Sequence, residues 1–166
     1  MVYDGKEYAT SEHLYQSLRY INALGGVNLN VNLEYAELIR RASTATGAKM
    51  MGNQVLIEKG SQWKVSLGKV IKSFQDRGLR RVYLDRDANE CMGWAVTEKL
   101  RQEKECLEKL LAIPSLDKII YHGDEYWGIH EKIVSGEGPN AWREYCGQNQ
   151  LGKILSQIRE KGVPLS

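Results

Sequence analysis

Two carboxylates stand in settings that suit chemistry. Glu12 lies in Thr10-Ser11-Glu12-His13-Leu14-Tyr15-Gln16, and Asp124 lies in Gly123-Asp124-Glu125-Tyr126-Trp127-Gly128. Paired carboxylates suit cleavage of a glycosidic bond, where an oxocarbenium-like transition state must be stabilised and a water activated. Trp127, beside Asp124, offers a face on which a base could stack. The later stretch Asn149-Gln150-Leu151-Gly152-Lys153 opens a helical pattern. A helix start presents backbone N–H groups, and Gly152 lies close by, so this is a ready site for phosphate. The plain reading of Glu12 is a good first-turn residue, because the helix dipole favours a carboxylate there.

Other chemistries find less support. His122, Asp124 and His130 could meet at a metal, but no HExxH or similar ligand spacing backs them, and no metal is expected. There is no nucleophile-elbow pattern for a Ser/His/Asp triad. GxGxxG and Walker A patterns are missing too, and no cofactor is expected. No nucleic-acid-binding motif stands out. The cysteines Cys91, Cys106 and Cys146 have no CxxC spacing and read as reduced thiols. Cys91 and Cys106 fall in helical patterns and are expected in the core, whereas Cys146 falls in a long loop.

The bulk properties bound the answer. A chain of 166 residues suits one domain with a real core, spanning 1–166. A formal net charge of +2 gives no global signal for nucleic acid or membrane. No apolar run approaches the roughly 18 residues that span a bilayer. The start Met1-Val2-Tyr3-Asp4-Gly5-Lys6 does not read as a signal peptide. The expectation is a cytoplasmic protein with no membrane partner; oligomeric state is not encoded in these features.

The elements that must position the carboxylates follow from periodicity. Asp4-Gly5 signals a tight turn between short strands. Thr10 or Ser11 caps a helix with Leu14, Leu18 and Ile21 on one stripe. Glu12 and Gln16, four apart, share another face. Gly25-Gly26 ends this helix. Val27 to Leu33 alternates apolar residues with Asn; it reads as an extended loop, with Asn32 capping a helix that carries Leu38, Ile39 and Ala42 and stops near Gly47. Ser61 caps a third helix with Trp63, Leu67, Val70, Ile71 and Phe74, ended by Gly78. On this pattern Trp63 is a core residue before it is a ligand platform. Asp87 and Glu90 make a capping box for a helix carrying Met92, Ala95, Val96 and Leu100. The charges from Lys99 to Lys109 read as a solvated helix face, ended by Pro114. Ile119 to Tyr121 reads as a short strand. A polar loop of about twenty residues follows Gly128, a length that is usually functional or disordered; it holds Trp142 and Tyr145. The last helix carries Leu151, Ile154, Leu155 and Ile158, with Asn149 as cap, Gly162 as stop and Pro164 beyond. The class is mainly α, with one or two short strands.

Taken together, these segments resemble the NADAR superfamily, also called YbiA-like. The matching segments run in order: Asp4-Gly5-Lys6 leading into Thr10 to Gln16, Ile39-Arg40 to Met51-Gly52, Trp63, Lys109-Leu110-Leu111, Asp124 to Gly128, and Asn149-Gln150-Leu151-Gly152 ending in Ile158-Arg159. Ser-Glu-His…Gln and Tyr-Trp-Gly…Asn-x-Leu-Gly are fairly specific as a set. The resemblance implies a compact, mainly helical domain that hydrolyses N-glycosidic bonds. Characterised relatives act on ribosylated pyrimidine intermediates of riboflavin synthesis or remove ADP-ribose from guanine in nucleic acid. By matching position it implies Glu12, Asp124, Trp127 and Asn149 as pocket residues.

Two departures shape the expectation. Relatives usually carry an upstream Ser-Asn-Phe-like segment that helps close the pocket, whereas this sequence begins almost at the Asp-Gly-Lys turn. They also usually carry Lys where Arg19 stands, and a guanidinium stays protonated and is not nucleophilic. The expected function is an N-glycosidase on a nucleotide-like substrate. Glu12 would stabilise the ribosyl cation or orient the sugar hydroxyls, and Asp124 would be the general base. Trp127 and Trp63 would hold the base, with Gln16 and Gly128 also on the ligand. Asn149, Gly152, Arg19 and Lys153 would hold phosphate. The alternative is a non-catalytic binder of NAD-, ADP-ribose- or cyclic-nucleotide-like ligands. The partner in either case is a nucleotide or ADP-ribose-like small molecule, or ADP-ribosylated nucleic acid.

Overall fold

A computed structural model of the chain describes residues 1–21, 29–56, 60–80, 85–116, 126–135 and 142–162. The described residues are mainly helical, as the periodicity predicts. They form two compact units, Met1–Lys99 and Leu100–Ser166.

The first unit opens with a hairpin, β1 (Val2–Tyr3) and β2 (Lys6–Glu7), paired Val2 to Glu7 and Tyr3 to Lys6. Asp4 and Gly5 take φ of 48° and 68°, the left-handed pair that a two-residue hairpin turn requires. Helix α1 (Ser11–Ile21) follows. Thr10 caps it: its hydroxyl oxygen accepts from the His13 backbone N–H at 3.4 Å. Leu14 and Leu18 are fully buried, as their spacing predicts.

Helix α2 (Leu29–Arg40) starts before the expected position, and Asn32 is inside it rather than capping it. The reason is tertiary. Asn32 is fully buried, donates to the Arg80 carbonyl at 2.9 Å, and accepts from the Arg80 N–H at 3.3 Å. Those partners satisfy the amide, so its usual competition with helical backbone is removed. The buried stripe is Val31, Tyr35, Ala36 and Ile39, while Leu38 is exposed. Gly47 does not stop this helix. It lies in a separate helix, α3 (Ala45–Gly52), where its N–H donates to the Thr44 hydroxyl at 3.0 Å.

Helix α4 (Gln62–Asp76) begins after Ser61 and gives way to Gly78 at φ 90°. Ile71 and Phe74 are buried, but Trp63 is 50% exposed, so its expected core position is not what the fold gives it. The core of this unit gathers Tyr20, Val31, Tyr35, Ile39, Met51, Ile71 and Phe74. Tyr35 sits at its centre, edge-on to Tyr20 at 4.9 Å and tilted against Phe74 at 5.1 Å, geometries that aromatic pairs favour. Helix α5 (Asp85–Gln102) starts ahead of Asp87, so the proposed capping box falls inside the helix. Its Cys91 and Ala95 are buried, as expected.

The second unit contains α6 (Lys104–Ala112), strands β3 (His130–Ser135) and β4 (Trp142–Cys146), and α7 (Gln150–Lys161). The outer face of α6 is solvated, with Lys109 donating to Glu105 at 2.6 Å across one turn. Cys106 sits on that side, its thiol donating to Glu103 at 3.2 Å, and is half-buried rather than core. What read as a polar loop after Gly128 contains an antiparallel pair, registered from His130–Cys146 to Ser135–Trp142 with an irregularity between Ile133 and Ser135. Among the described residues the strands thus form two antiparallel pairs, more than the one or two short strands expected, within the expected mainly helical class. Gly162, at φ 77°, follows α7 as predicted. Gly25-Gly26, the strand at Ile119 to Tyr121, Asp124 and Pro164 lie outside the described residues. Among the described residues, no helix is long and apolar enough to cross a membrane.

Candidate functional site

Helix α1 places Glu12, Gln16 and Arg19 at i, i+4 and i+7, which sets them along one side of the helix. They form one hydrogen-bonded chain. The Gln16 carboxamide donates through Nε2 to Glu12 Oε1 at 2.8 Å. Its Oε1 accepts from Arg19 Nη1 at 2.7 Å, and the same guanidinium nitrogen donates to Asn53 Oδ1 at 2.9 Å. The Arg19 guanidinium also lies 5.4 Å from the Tyr15 ring centroid, a cation–π distance. Gln16 is buried, while Glu12 and Arg19 are partly exposed.

The helix that carries this chain is anchored at both ends. His13 is buried beside Glu12, with its Nε2 3.0 Å from the Ala42 carbonyl. A carbonyl can only accept, so Nε2 carries a proton and donates to it, while Nδ1 lies 2.8 Å from the Thr10 hydroxyl. One turn beyond Gln16, the Tyr20 phenol donates to the Gly52 carbonyl at 2.8 Å. The Tyr35 phenol donates to the neighbouring Met51 carbonyl at 2.8 Å. The C-terminus of α3 is thereby pinned against α1.

The second unit holds a different constellation. The backbone N–H groups of Asn149, Gln150 and Leu151 donate to the carbonyls of Gly128, Tyr126 and Trp127, at 3.2, 3.1 and 2.9 Å. These helix-start amides, expected to be open for phosphate, are occupied by the Tyr126–Gly128 backbone. Asn149 stands at the cap position with φ 50°, yet its side chain makes no cap hydrogen bond. It donates instead to the Leu116 carbonyl at 3.1 Å. Gly152 faces that bond: a Cβ there would lie 2.4 Å from the Asn149 amide nitrogen and 2.6 Å from the Leu116 carbonyl. Trp127 is buried, its ring edge-on to Tyr126 at 4.9 Å. The backbone N–H of Lys153 donates to the Asn149 carbonyl, and its side chain is exposed.

The predicted residues therefore fall into groups. Glu12, Gln16 and Arg19 are joined in the first unit; Trp127, Gly128, Asn149 and Gly152 are joined in the second. Trp63 belongs to neither group, and carries Lys64 Nζ at 5.6 Å from its ring. Asn53 and Gly52 escape sequence reasoning. The available signal was two buried tyrosines on successive helices, since a buried phenol needs a partner. A cavity of about 560 Å³ lies along α4, between Leu56, Val65, Lys69, Lys72 and Asp76, and its described lining includes none of the predicted residues. Among the described residues no group of three His, Cys, Asp or Glu could hold a metal.

Residues 1–161 match the family model described as the NADAR domain. The chain is 26% identical over 160 residues to an N-glycosidase YbiA of Shigella boydii serotype 4 (strain Sb227), covering 95% of this chain and 72% of that one. It is equally similar, 26% over 160 residues with the same coverage, to an N-glycosidase YbiA of Shigella sonnei (strain Ss046). No solved structure matches.

Proposed function

The chain belongs to the NADAR family, and on that premise we propose that it hydrolyses an N-glycosidic bond in a nucleotide-like substrate. The observation that carries this reading is Glu12. Its carboxylate stands in the first turn of a rigidly anchored helix, with Oε1 held by the buried Gln16 amide. Among the described residues Oε2 has no hydrogen-bond partner, which leaves it for a ligand.

In that reaction the C1′–N bond breaks and its electron pair leaves with the base. The ribosyl ring becomes cationic, and water adds to C1′. A carboxylate about 4 Å from the cation contributes roughly 4 kcal/mol at an effective dielectric of about 20. That corresponds to about a thousandfold in rate. Asp124 is proposed as the general base that takes the proton of the water. The substrate classes are ADP-ribosylated guanine in nucleic acid and a ribosylamino-pyrimidine phosphate.

The test is incubation of the purified protein with NAD, ADP-ribose, an ADP-ribosylated guanine oligonucleotide and a ribosylamino-pyrimidine phosphate, read by mass spectrometry. Release of free base, abolished in Glu12→Gln, establishes the hydrolase and its substrate class. A thermal shift with no product in any arm identifies a ligand-binding protein instead.

A further inference from the structure

The Gln16 carboxamide is held from three sides. Arg19 donates to its oxygen at 2.7 Å, Glu12 accepts from its nitrogen at 2.8 Å, and Gly52 closes over it. A Cβ at Gly52 would stand 1.9 Å from Gln16 Oε1, 2.5 Å from Cδ and 2.8 Å from Cβ. The last of these contacts is with the root of the side chain, so swinging the amide away cannot relieve it. Gly52 itself is fixed, because the Tyr20 phenol holds its carbonyl at 2.8 Å. Gln16 is only 2% exposed.

The chemistry of the partners sets the direction of the amide. A guanidinium has only donors, so the group facing Arg19 must be the oxygen. The NH2 end then has to face Glu12, which an ionised carboxylate can accept. Arg19 and Glu12 thus select the same orientation from opposite ends: the flipped amide would aim its NH2 at the guanidinium and its carbonyl at the carboxylate.

We propose that Arg19 and Gly52 are positioning residues that clamp the Gln16 carboxamide in one orientation and through it fix the Glu12 carboxylate. This rests on the reading of Glu12 as the reacting carboxylate, and it changes the role of Arg19: the residue acts on Glu12 through Gln16, without touching it. A clamp of this kind orients the carboxylate, so its loss lowers turnover more than binding. Misplacement of a reacting group by about 1 Å costs on the order of 10²-fold.

The experiment compares wild type with Arg19→Met, Arg19→Lys and Gly52→Ala. Kinetics are measured on whichever substrate the protein turns over. Hydrogen exchange of the Gln16 side-chain NH2 is followed by NMR in the free protein. The expected result is a kcat lower by about 10²-fold in Arg19→Met, with KM little changed. The Gln16 NH2 protons exchange faster in Arg19→Met, while Arg19→Lys, still only a donor, stays closer to wild type. Gly52→Ala behaves like Arg19→Met where it folds; if it does not, Arg19→Met decides, since that side chain lies outside the core. A raised KM with kcat intact would make Arg19 a substrate contact and overturn the proposal. Unchanged NH2 exchange in Arg19→Met would overturn it equally. Should the wild type turn over nothing, the hydrolase reading fails, and the exchange measurement still decides the clamp.

Discussion

Gln16 Nε2 and Glu12 Oε1 stand 2.8 Å apart, so the candidate reacting carboxylate is held by a neutral buried amide and not by a positive charge. A cation bonded directly to Glu12 would compete with a developing ribosyl cation for the same negative charge. Arg19 contributes through the amide, which leaves the carboxylate's charge for the ligand.

Glu12→Gln keeps the size of the side chain and removes its charge. Turnover is expected to fall by about 10²–10⁴-fold, while the melting temperature stays close to that of the wild type. Steady-state kinetics with thermal denaturation on the same preparation check this. A variant with wild-type kcat removes Glu12 from the mechanism.

The phenols of Tyr20 and Tyr35 donate to the adjacent carbonyls of Gly52 and Met51, each at 2.8 Å. Replacing either by Phe is expected to cost about 1–3 kcal/mol, the range for disturbing a buried hydrogen bond. The rings are also in contact at 4.9 Å, so the two losses should not add. Denaturant unfolding of both single variants and the double variant measures the coupling. Strict additivity would mean that the two phenols do not grip one end of α3.

How much of this was legible in the sequence follows from what each feature depends on. Local signals carried through: the Asp4-Gly5 turn, the stripe of Leu14 and Leu18, and the Gly162 stop are all decided within a few residues. Glu12 and Gln16 were placed on one face by spacing alone, and the structure joins them. Asn32 misled, because its partner Arg80 lies far along the chain and turns a helix breaker into a satisfied core residue. Gly52 was invisible as a packing partner, since a glycine at a close approach looks like any other glycine until its neighbour is known. The amides of Asn149, Gln150 and Leu151 were open only in principle; no local pattern says that Tyr126 to Gly128 will occupy them.

Acid sensitivity should arise at Glu37. The Arg40 guanidinium donates to its carboxylate at 2.6 Å and Arg41 adds a second contact, which together lower its pKa from 4.5 to about 2 against the opposing effect of burial. A depressed folded-state value means the native state holds the ionised form more tightly than the unfolded chain does. The stabilisation is full above the unfolded value of 4.5 and is lost as pH falls toward about 2. Glu37→Gln should therefore be less stable than wild type at neutral pH and lose less on acidification across that window. Chemical denaturation at several pH values checks it; parallel acid limbs for the two proteins would exclude Glu37 as their source.

Two glycines in helices should respond oppositely to alanine. At Gly152 a Cβ would fall 2.6 Å from the Leu116 backbone carbonyl and 2.5 Å from the Asn149 carboxamide oxygen. The Asn149 to Leu116 hydrogen bond is buried, and the backbone side of the contact cannot rotate away. Overpacking of this kind costs about 1–3 kcal/mol. Gly93 lies within α5, and among the described residues no atom outside its own stretch of helix lies within 4 Å of where a Cβ would stand. There alanine gains helix propensity, and the expected change is a stabilisation of about 0.5–1 kcal/mol. Thermal and urea unfolding of Gly152→Ala and Gly93→Ala measure both signs in one experiment. If Gly152→Ala is tolerated without loss, the close approach of α7 to the Leu116 carbonyl is wrong. If Gly93→Ala destabilises, that face of α5 is packed against something in the folded protein.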